Sequence, residues 1–513
     1  MKISAYHKRK KDEVVFVKGE VRDLKYEFWD RIYITTLFTF YFDLTVHTIR
    51  FYKKYVKKVS DIYVGGILAS LMTEKLKEEA GITNVIPGVL NNSSALGYRD
   101  GVCIDSLTPD YSMLEQISYS YMASDCYLSY TTRGCPNRCS FCAVPRLEPS
   151  FVTTGDIAKH IQQADRMYGT RRNILLLDNN VLNSPDLERI VNSLLDSGFT
   201  KEPTYYKKYP LDFFIEDYEK GKSWKRQFSY TMRSLEDLSI NSDGKNAFLI
   251  CDLIMRIKRS TDPCRYLYKH ADEVRKAVGI IEQSRPVKRY VDFNQGLDAA
   301  LLTNERLDIL ARLPINPLRI AFDSINDTED YSKAVKLARK HGFKSISNYL
   351  LYNYLDHPAD LWKRININTN LRDELNLSIF SFPMKYSPIS LTNRKYIGKH
   401  WNKKYLRAIN DVLLVKKGIV SSSRSFVEKA FGKNLDEFFK ILAMPQDFII
   451  YRNYFENNGM TTMWDDQYSS LTQSERDELV NGLSAGFRTS SNKKLKKILE
   501  LYEITYEEEI EQN

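Results

Sequence analysis

The sequence lacks an apolar run long enough to cross a bilayer. The longest, from Ile32 to Phe42, is about half a membrane span and ends at Asp43. The N-terminal residues are charged but include neither an apolar segment nor a small-residue cleavage site, so we expect no signal peptide. Together these absences predict a cytoplasmic protein that does not enter a membrane.

Cysteine is also scarce, with seven residues in a chain of 513. Three of them, Cys135, Cys139 and Cys142, fall in the single stretch TTRGCPNRCSFCAVPR, residues 131–146. A disulfide framework is typical of small secreted domains with cysteines spread along the chain, which this sequence does not resemble. The tight cluster instead favours a metal site in a reducing compartment.

Internal repeats of fixed period and low-complexity segments are absent as well. The hydrophobic fraction of 43% is ordinary for a globular protein, and the length exceeds what one compact core supports. We therefore expect two or three domains. The net charge of +10 is modest for this length, so it allows a polyanionic partner without requiring one.

Strand-like and helix-like segments alternate in two series. The first, over 1–124, predicts a small Rossmann-like domain with a parallel sheet. The second, over 125–385, begins at CYLSYTTRGC and continues with strand candidates at 173–180, 289–297, 317–324, 345–354 and 376–383. Six β/α units predict an α/β fold with a partial, TIM-like (β/α)6 barrel, in which the chemistry sits where the strands end.

Two segments depart from this alternation. An insert at about 200–288 is far longer than a β/α repeat requires and is rich in Tyr, Phe and Trp. The region 386–513 is predicted to be mostly helical, and over 386–463 basic residues outnumber acidic ones about two to one. Within it, residues 393–407 interleave Lys and Arg with Tyr and Trp.

The spacing of Cys135, Cys139 and Cys142 limits the metal they would bind. Thiolates select zinc or iron–sulfur clusters, and a structural zinc site usually closes with four protein ligands. No fourth ligand follows at a suitable spacing, since the next His is His160 and the next Cys is Cys251. An iron–sulfur cubane held by three cysteines leaves one iron open for a substrate or cofactor.

The pattern Cys135-x3-Cys139-x-Phe141-Cys142, directly after a strand that opens a β/α series, resembles the signature of the radical S-adenosylmethionine (radical SAM) superfamily. The resemblance covers about residues 125–385. It implies a [4Fe–4S] cluster on the three cysteines whose open iron binds SAM, with reductive cleavage to a 5′-deoxyadenosyl radical that modifies a substrate. It also implies an electron donor of the flavodoxin or ferredoxin type.

The resemblance further implies SAM contacts at successive strand ends. The Gly-Gly-Glu-like turn of many family members is absent here, and other polar residues stand in its place. The candidate cofactor-binding residues are Phe141, Asp178, Asn179, Asn180, Gln295, Asp298, Asp323 and Ser324. The alternative for each polar residue is an ordinary helix cap or turn. No catalytic residue is assigned.

The N-terminal domain is similar in layout to the cobalamin-binding-like Rossmann domain of the B12-type radical SAM subgroup. VGGILAS, residues 64–70, resembles the glycine turn of such domains. The Asp-x-His-x-x-Gly motif that supplies the lower cobalt ligand is absent, so cobalamin is a candidate that is not favoured. A methylthiotransferase would need three cysteines in this domain, which contains only Cys103.

Several alternatives remain open. Cys251 and Cys264 are too few for a second cluster, and we expect them to pack in a core. Residues 393–407 have the composition of a surface that binds nucleic acid. Alternatively, Trp401 and Tyr405 lie on one face of a helix and pack into the core. The substrate is then a nucleic acid, or a peptide or small molecule modified with or without cobalamin. A non-catalytic iron–sulfur or zinc binding module is the alternative from another class.

Overall fold

The computed structural model describes residues 1–117, 119, 121–206, 210–221, 224–281, 286–487, 489–507 and 509. The chain divides into two compact units. One comprises Met1–Ser197 and Tyr290–Asn513, and the other is Gly198–Arg289. The expected boundaries near 124 and 385 fall inside the first unit and stay predictions.

The N-terminal part of the first unit contains a small parallel sheet. Its strands are adjacent in chain order: β1 (Ile32–Thr36), β2 (Ile62–Gly66) and β3 (Asn84–Ile86). The helices of this part are α1 (Lys2–Arg9), α2 (Phe42–Tyr52), α3 (Ile67–Leu71) and α4 (Thr73–Ala80). The predicted parallel α/β arrangement is confirmed for this region.

The sheet forms because apolar residues alternate on β2. Ile62 and Val64 are fully buried and pack with Val46 and Ile49 of α2. At the end of β2, Gly66 has φ of 103°, and a Cβ there would lie 2.2 Å from the carbonyl oxygen of Thr36. Only glycine allows this close approach between the ends of β1 and β2.

The second α/β region has two sheets. The first contains β4 (Cys126–Ser129), β7 (Asn173–Leu176) and β8 (Val291–Phe293), all parallel. The second runs in the order β9 (Leu318–Ala321), β10 (Ser345–Tyr352), β11 (Ser378–Lys385) and β12 (Val420–Ser421), of which only β12 is antiparallel. A short antiparallel pair, β5 (Thr132–Arg133) and β6 (Val152–Thr153), follows β4.

Helices connect most of these strands. They are α5 (Val144–Leu147), α6 (Ile157–Tyr168), α7 (Leu187–Asp196), α13 (Asn304–Leu310), α14 (Thr328–Lys340) and α15 (Pro358–Leu375). A parallel bridge between Leu297 and Ile320 links the segment after β8 to β9. Among the described residues no pairing joins β4 to β11, so the sheets do not form a closed barrel.

The insert is helical throughout its described core. It contains α8 (Pro210–Glu219), α9 (Lys225–Asn241), α10 (Gly244–Arg259), α11 (Pro263–Lys269) and α12 (Ala271–Ile281). These helices enclose a core of their own, which includes Phe214, Leu253 and Val274. Near its two ends, Tyr205 and Val287 exchange backbone hydrogen bonds of 3.2 and 2.8 Å in an antiparallel bridge.

The two cysteines of the insert differ in exposure. Cys264 is half-buried and packs against the insert core. Cys251, on α10, is exposed. The expectation of core packing is therefore wrong for Cys251, which occupies the solvent-facing side of an amphipathic helix.

Helices occupy most of the chain after β11, as predicted. They are α16 (Lys403–Val415), α17 (Arg424–Phe431), α18 (Leu435–Ala443), α19 (Gln446–Ile450), α20 (Arg452–Asn457), α21 (Met460–Ser469), α22 (Gln473–Ala485) and α23 (Lys493–Glu500). Among the helices of the described residues, none has the length and apolar character that spanning a membrane requires.

The start of α16 and the residues just before it settle the alternatives for Trp401 and Tyr405. Trp401 is 6% exposed, and its indole Nε1 donates to the Asp356 carbonyl at 3.0 Å. The ring of Tyr405 contacts that of Phe439, and burial raises the pKa of Tyr405. Both side chains face the interior, so neither presents its ring to a nucleic acid base.

Arg364 on α15 connects the ends of two strands. It is fully buried, and its guanidinium donates to the carbonyl oxygens of Phe322 at 3.1 Å, Asp323 at 2.9 Å and Leu351 at 2.7 Å. The Asp356 carboxylate lies 3.6 Å away. A buried guanidinium with this many acceptors fixes the carboxyl ends of β9 and β10.

Replacing Arg364 with Met is expected to lower the free energy of unfolding by about 3–5 kcal/mol, because buried carbonyls and a carboxylate lose their donor. Urea unfolding followed by circular dichroism measures the change. Arg372→Met, on the same helix at a side chain that is 38% exposed, should cost less than about 0.5 kcal/mol. A loss below about 1 kcal/mol for Arg364→Met would contradict this role.

Lys404 on α16 is buried, and its Nζ donates to the carbonyls of Leu442 at 2.9 Å and Met444 at 2.7 Å. Burial lowers the pKa of Lys404 to about 7, against the attraction of Asp411. A neutral amine still has two N–H donors for these two carbonyls. At alkaline pH the Lys404 amine therefore binds fewer protons in the folded chain than in the unfolded chain.

The free energy of unfolding should consequently rise with pH above 7, because there the unfolded chain binds the extra proton. The free energy of unfolding of the wild type, measured relative to that of Lys404→Met, should increase by about 2 kcal/mol between pH 7 and pH 9. Denaturant unfolding at several pH values measures this difference. Lys403 is the exposed neighbour, so Lys403→Met should show the same pH dependence of the free energy of unfolding as the wild type. The same pH dependence for wild type and Lys404→Met would contradict the expectation.

Candidate functional site

The three clustered cysteines lie on one loop between β5 and α5. The backbone N–H of Cys142 donates to the carbonyl of Cys139 at 3.0 Å, which closes a turn within the loop. The N–H of Val144 donates to the Cys142 Sγ at 3.4 Å. All three thiols are free of disulfides. The sequence motif therefore folds into a single compact loop that follows the strand β4.

The start of the loop is held by a glutamate that the sequence reasoning missed. The Glu148 carboxylate accepts from the backbone N–H of Gly134 at 2.7 Å and pairs with the Arg133 guanidinium at 2.6 Å. Gly134 has φ of 73°, and a Cβ there would lie 2.3 Å from the Ser150 carbonyl oxygen. Glycine is thus required immediately before Cys135.

Asp178, a predicted SAM contact, supports the same segment from the end of β7. Its Oδ1 accepts from the backbone N–H groups of Thr131 and Thr132 at 2.8 and 2.5 Å. It also accepts from their hydroxyls at 2.7 and 2.8 Å. Burial raises the pKa of Asp178, and these donors oppose the rise. Its main contacts are therefore structural, while Oδ2 is buried without a partner.

Cys135 and Cys142 are half-buried, whereas Cys139 is exposed. Burial raises the pKa of Cys139 and of Cys142, and the neighbouring cysteines add to the effect. The charge of Asp323 acts on both thiols in the same direction, which places this carboxylate next to the loop. Without a bound cation the site therefore disfavours thiolates. A metal centre would supply the positive charge that the three sulfurs lack.

The donor set fits a cluster better than a single ion. Within the part of the chain that the structure describes, no three His, Cys, Asp or Glu side chains converge to hold one metal ion. In a cubane each cysteine binds a different iron, so three sulfurs on one loop need not converge on a point. Soft ligands, partial burial and the lack of a fourth protein ligand agree with that arrangement.

Three of the predicted contacts lie beside the cysteine loop. Asn180 is 4% exposed, its Nδ2 lies 3.7 Å from the Cys135 Sγ, and its Oδ1 is buried without a partner. Asp298 accepts from the Asn137 side chain at 3.0 Å. For Asp323, burial and the like charge of Asp327 raise the pKa to about 6. Asn180 thus has an unsatisfied polar atom at the end of β7, and Asp298 and Asp323 add carboxylates at the ends of the next strands.

The remaining polar candidates have other partners or none. The Asn179 side chain donates to Glu148 at 2.9 Å and so supports the loop indirectly. Ser324 caps a one-turn helix, accepting from the N–H of Asn326 at 3.1 Å. Gln295 is exposed in the turn after β8. For Ser324 the ordinary alternative of a cap accounts for the observed contacts.

Phe141 contacts an aromatic residue from the end of β10. Its ring and that of Tyr354 are 5.9 Å apart in a T-shaped arrangement, and the Tyr354 hydroxyl lies 2.8 Å from the Ser140 Oγ. Tyr354 thus contacts the loop between its second and third cysteines, whereas Asp178 binds the segment before the first. Sequence reasoning missed Tyr354 and Glu148 as loop supports, and only the aromatic residues at that strand end gave a signal for Tyr354.

A cleft of about 680 Å³ lies between the N-terminal sheet and the segment before the cysteine loop. It is lined by residues of both parts, among them Gly88, Cys103, Arg133 and Arg146. Apolar side chains form much of its surface, including Leu107. The cleft is large enough for a small organic molecule, and Arg133, two residues before Cys135, is part of its lining.

Comparison with known proteins leaves the family open, since no protein-family model matches the chain and no curated protein matches it at a significant level.

Replacing Asp178 with Ala is expected to speed amide exchange of the peptide that contains Thr131 and Thr132 by at least about tenfold, because both N–H groups lose their acceptor. Hydrogen–deuterium exchange with mass spectrometry measures this rate. Asp186→Ala, at the start of α7, is the control and should leave the peptide unchanged. Equal rates in wild type and Asp178→Ala would contradict the role given to Asp178.

Proposed function

We propose that this chain is a radical SAM enzyme. The observation that carries the proposal is the loop of three cysteines, which follows a parallel strand and lies beside a buried amide oxygen of Asn180 that has no hydrogen-bond partner. When bound, a [4Fe–4S] cluster on these cysteines supplies the electron that cleaves SAM to a 5′-deoxyadenosyl radical. A flavodoxin- or ferredoxin-type donor and a cytoplasmic location belong to the same proposal.

The finer fold belongs to this proposal too. Strands β4, β7, β8, β9, β10 and β11 follow one another in space as in sequence, and the Leu297–Ile320 bridge connects the two groups of three. A partial (β/α)6 barrel is the arrangement that this order supports. In such a barrel the carboxyl ends of the strands surround one site, where the cysteine loop lies.

The residues of this chain have distinct tasks in the proposed site. Asn180 and Asp298 offer an amide oxygen and a carboxylate that can accept from the SAM ammonium. Phe141, with the Tyr354 ring against it, limits water at one side of the loop. Asp323 keeps an acidic group near the thiols. Asp178 and Glu148 orient the loop, and the unpartnered Oδ2 of Asp178 is a further acceptor for SAM.

The test is anaerobic reconstitution with iron and sulfide, followed by dithionite reduction with SAM and mass spectrometry of 5′-deoxyadenosine. Wild-type protein should form 5′-deoxyadenosine, and Cys142→Ala should lose at least about 99% of it, because the cluster loses a ligand. Cys251→Ala removes an exposed thiol outside the loop and should retain the wild-type rate. Equal product from wild type and Cys142→Ala would overturn the proposal.

A small-molecule or peptide substrate is the second candidate, and the cleft between the N-terminal sheet and the loop is the observation that favours it. Cobalamin is a further candidate for that cleft and would show as an absorption band in the purified protein. A third candidate is a binding module without chemistry. Zinc content by metal analysis, with no iron taken up on reconstitution, would support that module instead.

A further inference from the structure

Aromatic side chains lie exposed where β1 ends and α2 begins. Phe38 stacks on Phe40 with ring centroids 4.9 Å apart and planes 15° from parallel. Tyr41 packs edge-on against Phe40 at 4.8 Å. Phe38 and Tyr41 each leave 43% of their surface exposed. Stacked rings exposed at the carboxyl edge of a parallel sheet indicate a ligand surface.

Arg394 covers these rings from the segment that follows β11. Its guanidinium carbon lies 3.9 Å from the centroid of Phe40 and 5.6 Å from that of Tyr41. A planar guanidinium over an aromatic face extends the stack and adds a positive charge. We call Phe38, Phe40, Tyr41 and Arg394 the aromatic–arginine patch.

The patch has a surplus of positive charge. Lys395 and Lys399 follow Arg394 closely in sequence, and the Lys385 Nζ donates to the Arg394 carbonyl at 3.4 Å. All four cationic side chains are exposed. Among the residues that the structure describes, none of the four forms an ion pair with a carboxylate. Exposed cations without carboxylate partners favour a polyanionic ligand.

A series of rings leads from the patch toward the cysteine loop. Tyr396, two residues after Arg394, lies 5.5 Å from the ring of Tyr386. Tyr386 lies 4.6 Å from Tyr354, which in turn contacts Phe141 of the cysteine loop at 5.9 Å. The three tyrosines are partly exposed. The three contacts are edge-to-face, and the exposed part of each tyrosine is available to contact an unpaired base.

We propose that single-stranded nucleic acid binds the aromatic–arginine patch and extends along the tyrosines to the cysteine loop. This inference rests on the proposed function, because it names the substrate class of that same site. Cations on the patch contact phosphates, and the ring faces stack on bases that are not paired. A duplex hides its base faces, so the surface selects single strands.

An acidic protein is the competing occupant, since interfaces between proteins also contain aromatic residues and arginine. The lysines favour nucleic acid, because lysine is depleted at protein interfaces and common at phosphate contacts. The parallel stack of Phe38 on Phe40, with a guanidinium above it, also suits flat bases. We therefore make binding of an acidic polypeptide an outcome of the test.

The test is fluorescence anisotropy of the full-length protein with a labelled single-stranded oligonucleotide, as RNA and as DNA, across a salt series. The triple variant Arg394→Ser, Lys395→Ser, Lys399→Ser should raise Kd at least about tenfold and flatten the salt dependence by about two ion equivalents. The matched control Lys493→Ser, Lys496→Ser, Lys497→Ser on α23 loses the same charge and should change Kd less than about twofold.

The rings are tested separately from the charges. Phe38→Ala with Tyr41→Ala should raise Kd about tenfold at an unchanged salt dependence, because stacking is lost and no phosphate contact is. The control pair Phe248→Ala with Phe487→Ala removes two aromatic rings outside the patch, which are 76% and 65% exposed, and it should leave Kd unchanged. A duplex of the same sequence should bind at least about tenfold more weakly than the single strand.

Three results would overturn the inference. The first is that neither single strand binds at low salt. The second is that the patch triple variant and the control triple variant weaken binding equally. The third is that polyglutamate displaces the labelled oligonucleotide as effectively, per charge, as unlabelled oligonucleotide does. The binding assay needs neither cluster nor SAM. Formation of 5′-deoxyadenosine without oligonucleotide binding would overturn only this inference, and binding without 5′-deoxyadenosine would overturn only the proposed function.

Discussion

Two carboxylates hold the short backbone segment on which the candidate site depends. Asp178 Oδ1 gathers four donors from Thr131 and Thr132, and Glu148 binds the N–H of Gly134. One carboxylate comes from the end of β7 and the other from the residue after α5, and both bind the segment that directly precedes Cys135. Three of the donors are backbone N–H groups and two are threonine hydroxyls, and a carboxylate can accept from several donors at once, which explains why acidic residues are used here.

The sequence predicted well what depends on local pattern. All six strand candidates of the second series contain a strand. Apolar residues that recur every two positions mark the buried face of a strand, and those that recur every 3.6 positions mark that of a helix. Strands such as β10 were therefore recognisable from the sequence. The position of the cysteine loop after β4 followed from the same pattern.

The roles of individual polar residues were less predictable. Ser324 and Asn179 stand at strand ends as expected, yet one caps a helix and the other binds Glu148. Sequence position alone does not separate a ligand contact from a cap, because both need a short polar side chain after a strand. Trp401 could not be assigned either, since its partner Asp356 is 45 residues away. The contacts of these side chains depend on residues that are distant in sequence, which a local sequence pattern does not reveal.

The antiparallel bridge between Tyr205 and Val287 has an evolutionary consequence. It brings the beginning and end of the helical insert side by side, within the connection from β7 to β8. The surrounding sheet therefore bears almost no extra loop-closure entropy for the insert. An element attached in this way is free to be lengthened, shortened or exchanged while the parent fold keeps its register, so the insert is where related chains are expected to diverge first.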